Sequence, residues 1–379
     1  MNVILLGLVS FITDVSSEMI HPLLPEFIRV LGGTALIVSL VGSLGDFVQN
    51  VLKAPSGYLS DRVGRRKALA AAGYAISATS KLFMPFATLP QIMVLRASER
   101  AGKGVRTAPR DALIAESGGK RGRAFGIHRA LDTLGAIIGS SLAFAFLLLA
   151  GWGIKEVMIC GAIIAFLALI PFVFVKEVAR RPGEPSRWRR PDLPSDLKRF
   201  IVASSLFGLS NITYMLFLLF ALMFVEPPFG LSHLAFATAL YVLFNVFYAG
   251  LSLPSGVLSD KIGRKKVISL GYLVFALTCL LFSVRELSAS VPILVGLFSL
   301  YGTSKALIDG TQRAYASDLA PEEGKGYALG VFHTATGLAN LACGFIAGYL
   351  WLLLGPTWTF VYASVLSAIS AVLLMALCR

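Results

Sequence analysis

The sequence predicts an all-α membrane protein whose twelve transmembrane helices form two pseudo-symmetric six-helix bundles. The first observation behind this prediction is composition. The 379 residues are 56% hydrophobic and 15% charged, with a mean hydropathy of +0.75, which is too apolar for a soluble domain. The second is a set of uncharged runs, 201–225, 227–259 and 326–378, that reach or exceed the roughly 20 residues of a bilayer-spanning helix. The third is an internal repeat.

Polar breaks divide the chain into the predicted spans. In order, spans 1 to 12 cover 4–29, 35–58, 68–87, 89–117, 124–150, 154–175, 200–225, 233–258, 267–285, 290–314, 326–351 and 356–377. We expect span 1 to be a retained helix rather than a cleaved signal peptide, because it carries Asp14 and Glu18 and follows no basic leader. Pro22 and Pro25 predict a kink beyond its middle.

The basic residues predict the orientation of the spans. With both termini in the cytoplasm, 21 of the 34 Lys and Arg lie in cytoplasmic segments, 2 lie at outer helix ends and 11 lie within spans. The net charge of +13 therefore reflects membrane topology rather than nucleic-acid binding. We expect a multi-pass protein of the inner membrane of a prokaryotic cell. The four cysteines are scattered on apolar helices and are interpreted as small buried hydrophobes.

A polar segment separates two similar halves. Residues 176–199 hold four prolines, eight basic and four acidic residues, which indicates a soluble cytoplasmic linker. On either side, RAFGIHRALDTLG at 123–135 is echoed by YALGVFHTATGLA at 327–339. A repeat of this length in a chain with many spans points to duplicated transporter halves. The predicted domains are an N-terminal bundle at 1–175, the linker at 176–199 and a C-terminal bundle at 200–379.

The repeat is clearest in two charged turns, SGYLSDRVGRRK at 56–67 and SGVLSDKIGRKK at 255–266. Each joins the second span of its half to the third. The first glycine of each copy allows neighbouring helices to approach, the second allows the backbone to turn, and the basic residues anchor the turn at the anionic inner leaflet. The aspartate can bond an Arg side chain or a helix N-terminus, in a contact that must break when the helices move. We therefore predict a conformational latch made by Gly57, Asp61, Arg62, Gly64, Arg65, Arg110, Gly256, Asp260, Lys261, Gly263 and Arg264.

The pattern Gly-x3-Asp-[Arg/Lys]-x-Gly-[Arg/Lys]-[Arg/Lys], complete at 57–66 and 256–265, resembles the signature loop of the major facilitator superfamily. The resemblance extends over the whole chain. It implies two six-helix domains that move a solute by alternating access, with spans 1, 4, 7 and 10 lining a central cavity. Arg100 and Gly104 match the Arg-x3-Gly of the drug-exporting branch, whereas LGAIIGSSLA at 134–143 lacks the proline of that branch's antiporter motif.

Ionisable residues inside spans cost about 2.5–3.5 kcal/mol each on insertion scales and are therefore functional candidates. Span 4 carries a stripe at spacings of three and four: Arg96, Glu99, Arg100, Lys103, Arg106 and Arg110. The spans of the first half hold nine bases and eight acids, and this near balance favours pairing. We expect Arg106, Arg110 and Asp111 to tie span 4 to the turn at Asp61. For Asp132 the sequence favours two roles equally, a pair with Arg129 or a place in the cavity.

Asp14, Ser17, Glu18 and His21 share one face of span 1. Two carboxylates one turn apart in a low-dielectric site can hardly both ionise, so one is expected to hold a proton and couple transport to a proton gradient. Permanent pairing with Arg96 or Arg100 is an alternative. Asp14, Glu18 and His21 could instead ligate a divalent metal. The predicted coupling and cavity set is Asp14, Glu18, Arg96, Glu99, Arg100, Lys103, Asp132, Lys305 and Asp309.

The second half carries fewer charges in its spans. Lys305 and Asp309 stand four residues apart and can satisfy each other, while amides, hydroxyls and aromatics such as Asn211, Tyr214 and Tyr241 suit an uncharged or amphipathic solute. The chain has neither Gly-x4-Gly-Lys-[Ser/Thr] nor His-Glu-x2-His, which disfavours an ATP-driven pump or an enzyme.

The sequence thus predicts a monomeric secondary transporter in the lipid bilayer. We expect it to export an amphipathic solute against protons, with no cofactor and no nucleic-acid partner. The competing functions are a divalent-metal exporter, an organic-anion transporter and a non-transporting receptor or scaffold.

Overall fold

A computed structural model describes residues 2–116, 121–177, 192–321 and 325–377, without the side chains of Asp61, Arg121 and Gly122. All regular elements in these ranges are helices. Up to residue 177 they are α1 (Asn2–Ile20), α2 (Leu24–Val30), α3 (Ala35–Val63), α4 (Arg66–Phe83), α5 (Leu89–Glu116), α6 (Arg121–Leu149), α7 (Ile154–Leu167) and α8 (Leu169–Val173).

The later helices follow the same pattern of long rods and short turns. They are α9 (Ser195–Ser210), α10 (Tyr214–Phe224), α11 (His233–Ile262), α12 (Arg264–Ser283), α13 (Arg285–Ser288), α14 (Val291–Leu319), α15 (Lys325–Leu354) and α16 (Pro356–Leu377).

Ten helical segments in the described ranges are long and apolar enough to cross a membrane. They are Asn2–Val30, Ala35–Ser60, Arg123–Leu149, Ile154–Val173, Ser195–Phe224, His233–Ile262, Arg264–Ser283, Val291–Leu319, Lys325–Leu354 and Pro356–Leu377. The helices α4 and α5, which match predicted spans 3 and 4, are not among them. The charges of α5 lower its hydropathy, as the predicted stripe requires. The protein is thus a multi-pass membrane protein, and the count of twelve spans and the cytoplasmic termini stay predictions.

Two predicted spans are interrupted. In the first, α1 ends at Ile20, a 3-10 turn covers His21–Leu23 and α2 follows, which confirms the kink predicted from the prolines. Span 7 was predicted as one helix, and this is wrong, because residues 211–213 are not helical and separate α9 from α10. Thr213 has an extended backbone and its hydroxyl accepts the N–H of Met215 at 3.4 Å, capping α10.

The backbone falls into two compact units. Unit 1 comprises Met1–Phe27 and Val48–Arg189, and unit 2 comprises Ile28–Phe47 and Arg190–Arg379, so that α3 contributes to both. The predicted domain boundaries stay a prediction, and most of the predicted linker, at 178–191, lies outside the described residues.

Unit 1 is organised around two helix pairs, α1 with α6 and α4 with α5. The second pair is held close by glycines. A Cβ on Gly102 would lie 2.5 Å from the carbonyl oxygen of Gly73, and a Cβ on Gly73 would lie 2.6 Å from that of Gly102. Any larger side chain would push the helices apart. This close approach brings the charged residues of α5 against α4.

Unit 2 has an aromatic core between α10, α12, α14 and α16. Phe217 stacks on Tyr301 with ring centroids 4.4 Å apart and meets Phe282 edge-on at 5.0 Å. Phe282 in turn stacks on Phe360 at 5.0 Å. Such contacts add to the burial of apolar area and fix the helices that carry the polar residues of this unit.

The α4–α5 contact gives a test of the fold. Gly102→Ala should lower the apparent unfolding temperature of the detergent-solubilised protein, because its methyl group meets backbone atoms that cannot move aside, at a cost of about 1–3 kcal/mol or more. Gly126→Ala in α6 is the matched control, since a Cβ there has nothing within 4 Å. Equal midpoints for the two variants would contradict the packing described.

Candidate functional site

Charged side chains lie buried inside unit 1, and α5 supplies most of them. Arg96 Nη1 donates to Glu99 Oε2 at 2.8 Å, and Nε of Arg100 lies 3.6 Å from the same oxygen. The side chains of Arg96 and Glu99 are only 2% and 1% exposed. Spacings of three and four residues place them on one face of the helix, as the sequence predicted. We call Arg96, Glu99 and Arg100 the arginine–glutamate triad.

Two further cations beside the triad, Lys81 and Arg106, donate hydrogen bonds to serine hydroxyl groups. Lys81 of α4 donates to Ser17 Oγ at 2.7 Å and to Ser16 Oγ at 3.1 Å, both on α1. Its role was missed by the sequence analysis, although a lysine in the apolar run of α4 facing a serine pair was the available signal. Arg106 donates to Ser77 Oγ at 2.8 Å and lies 4.5 Å above the ring of Tyr74. The contact of Arg106 with the turn at Asp61 stays a prediction, because the side chain of Asp61 lies outside the described part of the structure.

Asp14 meets an acid and a base. Its carboxyl lies close to the carboxyl of Asp132 on α6, and the two groups interact electrostatically. Lys103 Nζ lies 3.8 Å from Asp14 Oδ1, and the side chains of Lys103 and Asp14 are 27% and 12% exposed. Asp132 is also 3.3 Å from Arg129 Nη1, as predicted, while its place in a cavity stays a prediction. We call Asp14 and Asp132 the carboxyl pair; it lies at the accessible edge of the charged region.

The coupling predicted between Asp14 and Glu18 stays a prediction. Oε1 of Glu18 lies 3.1 Å from Nδ1 of His21, the first residue of the 3-10 turn after α1. In the described ranges no group of three or more His, Cys, Asp or Glu side chains could hold a metal ion, so Asp14, Glu18 and His21 do not form the minority metal site. Seven positions of a helix rise about 10 Å, which spreads the three side chains along the axis.

The repeated turns have the backbone that the sequence predicted. Gly64 and Gly263 have φ of 67° and 98°, which favour glycine. The first glycines differ, because a Cβ on Gly57 would touch Ala108 at 3.3 Å whereas one on Gly256 would have nothing within 4 Å. Close approach is thus confirmed for Gly57 only. The basic side chains of Arg62, Arg65 and Lys261 are exposed, as an anchoring role requires.

The turns are tied to neighbouring helices by ion pairs. Arg264 Nε lies 2.7 Å from Asp318 Oδ2 near the end of α14 and its Nη2 lies 3.8 Å from Asp260 Oδ1. In the first half, Arg66 pairs with Glu116 at the end of α5. The acids Glu116 and Asp318 were missed in this role, and their similar places at the end of the fourth span of each half were the available signal.

The two remaining latch predictions concern Arg110 and Asp61. Arg110, expected at Asp61, binds Asp111 Oδ1 at 2.9 Å and Ser10 Oγ at 3.2 Å. Asp111 is its neighbour on α5, Ser10 lies on α1, and the contact of Arg110 with Asp61 stays a prediction. The side chain of Asp61 lies outside the described part of the structure.

Unit 2 contains a cavity of about 110 Å³ at the break between α9 and α10. Its polar lining comes from α3, α14, α15 and the non-helical break, and it includes Ser43, Asp46, Asn211, Tyr301, Lys305 and Asn340. Lys305 Nζ lies 3.3 Å from Asp309 Oδ1, which confirms the predicted pair, and Tyr248 donates to Asp309 Oδ2 at 3.2 Å. Asp46 was counted among the span charges but not proposed for this site.

Comparisons with known proteins agree with this architecture. The model of the Major Facilitator Superfamily matches residues 6–243 and 202–379. An uncharacterised MFS-type transporter of Methanocaldococcus jannaschii is 44% identical over 99% of this chain and 94% of its own length. An uncharacterised protein of Mycobacterium tuberculosis is 26% identical over 91% of this chain and 85% of its own.

Solved structures share the fold at low identity. A mutant of the nucleoside transporter NupG aligns with a TM-score of 0.83 over 100% of both chains at 14% identity. A POT family transporter in complex with 5-aminolevulinic acid aligns with a TM-score of 0.80 over 98% of this chain and 95% of its own at 13% identity.

The triad predicts a large cost for removing its acid. Glu99→Gln leaves the buried guanidinium group of Arg96 without the carboxylate that it binds, which should destabilise the protein by about 3–5 kcal/mol and lower its apparent unfolding temperature. Asp196→Asn is the matched control, because the Asp196–Arg199 pair is half exposed at 3.5 Å and is worth about 0–1 kcal/mol. A Glu99→Gln protein as stable as the control would show that the triad does not hold α5 in place.

Proposed function

The chain belongs to the major facilitator superfamily of membrane transporters, and on that premise we propose that it exports a small amphipathic solute in exchange for protons. The observation that carries the proposal is the carboxyl pair, Asp14 and Asp132, beside Lys103. The transporter acts as a monomer in the cell membrane and takes its energy from the proton gradient.

The carboxyl pair is suited to carry a proton. An ionised carboxylate is only an acceptor, so two carboxyl groups that hydrogen-bond to each other hold one proton between them. Loss of that proton would leave two like charges in contact in a poorly solvated site. Protonation and deprotonation therefore change the local charge by one unit at a place that retains contact with solvent.

Lys103 is positioned to respond to that change. Lys103 Nζ lies 3.8 Å from Asp14 Oδ1, which is longer than a charge-assisted hydrogen bond. Lys103 is also the most exposed cation of the charged stripe on α5. When the pair is deprotonated, the ammonium is drawn to the additional negative charge. The arginine–glutamate triad, almost fully buried, supports α5 while Lys103 moves, so we assign switching to Lys103 and a supporting role to Arg96, Glu99 and Arg100.

The competing functions receive less support. The cations that an organic anion would need on α5 are engaged by Glu99 and Ser77. The metal alternative lacks a ligand cluster in the described residues. The match of Arg100 and Gly104 to the drug-exporting motif supports export as the direction.

Asp14→Asn and Asp132→Asn should each abolish proton movement driven by solute in proteoliposomes that contain a pH-sensitive dye. The panel of solutes comprises divalent metals, organic cations, organic anions, zwitterions and neutral amphipaths. Glu18→Gln should reduce the signal only partly, because Glu18 is bonded to His21 and acts on Asp14 through its charge. Exchange of labelled solute down its gradient should survive in both Asn variants.

Glu156→Gln, an exposed carboxylate at the start of α7, is the control that should leave the signal intact. Proton movement that persists in Asp14→Asn and in Asp132→Asn would overturn the coupling role.

The paired turns predict a rate effect. Arg264→Gln and Asp318→Asn should each slow transport with little change in solute affinity, because they remove one contact that distinguishes conformations. The double variant should be no slower than the single ones, since both remove the same bond. Additive losses in initial transport rates would contradict a shared latch.

A further inference from the structure

We infer that the cavity of unit 2 binds a small zwitterion, a solute that carries both an ammonium group and a carboxylate. The inference rests on the proposed function, because it names the class of solute that the transporter would move. It is carried by the two charged side chains of opposite sign that line the cavity, Asp46 and Lys305.

The charges of the cavity lining argue for a solute that is neutral overall but carries both signs. Asp46 comes from α3 and Lys305 from α14, so the two signs are held on different helices. A solute with a single charge would place that charge near one group of like sign in a poorly solvated space. A zwitterion can present an opposite charge to each.

Lys305 has donor capacity for a carboxylate. Its ammonium group has three N–H donors, and its two contacts, Asp309 Oδ1 at 3.3 Å and Asn211 Oδ1 at 3.5 Å, are both longer than the usual 2.7–2.9 Å of a charge-assisted bond. Tyr248 also donates to Asp309, so that this acid keeps a partner when Lys305 turns towards a ligand.

The lining also offers acceptors for an ammonium group. Asn340 Oδ1 is buried and has no hydrogen-bond partner in the described residues. Ser43, 5% exposed, lies on the same lining as Asp46. A buried acceptor without a partner costs free energy that an N–H donor of the solute would recover.

The break between α9 and α10 gives the cavity its place. Residues 211–213 leave the helix there, and helix breaks in transporters are tolerated where the irregular backbone lines a cavity. The lining also includes the rings of Phe244 and Tyr301, which stack with centroids 4.8 Å apart. With a volume of about 110 Å³, the cavity suits a compact solute with one short apolar group.

The test uses a matched set of four solutes on the detergent-solubilised full-length protein, with binding measured by calorimetry in the absence of any gradient. All four solutes share one side chain. Leucine carries both charges, leucinamide only the positive charge, N-acetyl-leucine only the negative charge, and N-acetyl-leucinamide neither. The same four derivatives of phenylalanine form a second set. Leucine or phenylalanine should bind about tenfold or more tightly than the other three members of its set.

The variants separate the two charges. Lys305→Gln should remove the preference for members with a free carboxylate, and Asp46→Asn the preference for members with a free ammonium group. Lys305→Arg keeps the charge and should restore most of the affinity lost in Lys305→Gln. Lys198→Gln and Asp196→Asn, on α9 and outside the cavity, are matched controls that should change nothing.

Equal binding of a singly charged or neutral member would overturn the inference, as would the absence of binding in both sets. Both charge variants weakening all members equally would also overturn it, by assigning Asp46 and Lys305 a structural role. If zwitterions do not bind but another solute class drives proton movement, the zwitterion inference is wrong and the proposed function stands. If zwitterions bind but drive no proton movement, the proposed coupling to protons is wrong and the inference stands.

Discussion

A carboxylate shared by two guanidinium groups, Glu99 with Arg96 and Arg100, is the contact that allows the most charged helix of this membrane protein to be buried. An ionisable residue in a span costs about 2.5–3.5 kcal/mol on insertion scales, and α5 carries several. Accordingly α5, like α4, matches a predicted span but is not apolar enough to count among the ten helical segments that could cross a membrane. Glycines at the α4–α5 contact bring in the serine and tyrosine partners of Arg106, so packing and charge compensation depend on each other.

Once the triad is formed, the remaining polar groups divide into fixed and movable ones. The fixed ones are almost fully buried and closely bonded, as Arg96 is to Glu99 and Lys81 to Ser17. The movable ones keep contact with solvent and have longer distances, as for Lys103 with Asp14 and Lys305 with Asp309. A transporter needs both kinds, because a helix that exchanges partners must be held by others that do not.

The helices and the charged face of α5 could be predicted, because both depend on periodicity along one helix. The partners that lie on other helices could not be predicted. Asp14 stands one turn from Glu18, and it also interacts with Asp132 because α1 packs along α6. The same limit hid the serine partners of Lys81 and the place of Asp46 in the cavity lining. The break at 211–213 was missed because it depends on bonds that the side chains of Asn211 and Thr213 make in the folded protein. Thr213 caps α10, and Asn211 accepts a hydrogen bond from Lys305 of α14.

The central claim is that Asp14 and Asp132 share a proton, and infrared absorption of the purified protein in lipid at neutral pH tests it without knowledge of the solute. A protonated carboxyl group has a carbonyl stretching band separate from that of a carboxylate, and the band shifts in heavy water. The account predicts that this band is present in the wild type, is lost in Asp14→Asn and in Asp132→Asn, and is retained in Glu18→Gln. A band that is absent from the wild type, or that survives both Asn substitutions, would contradict it.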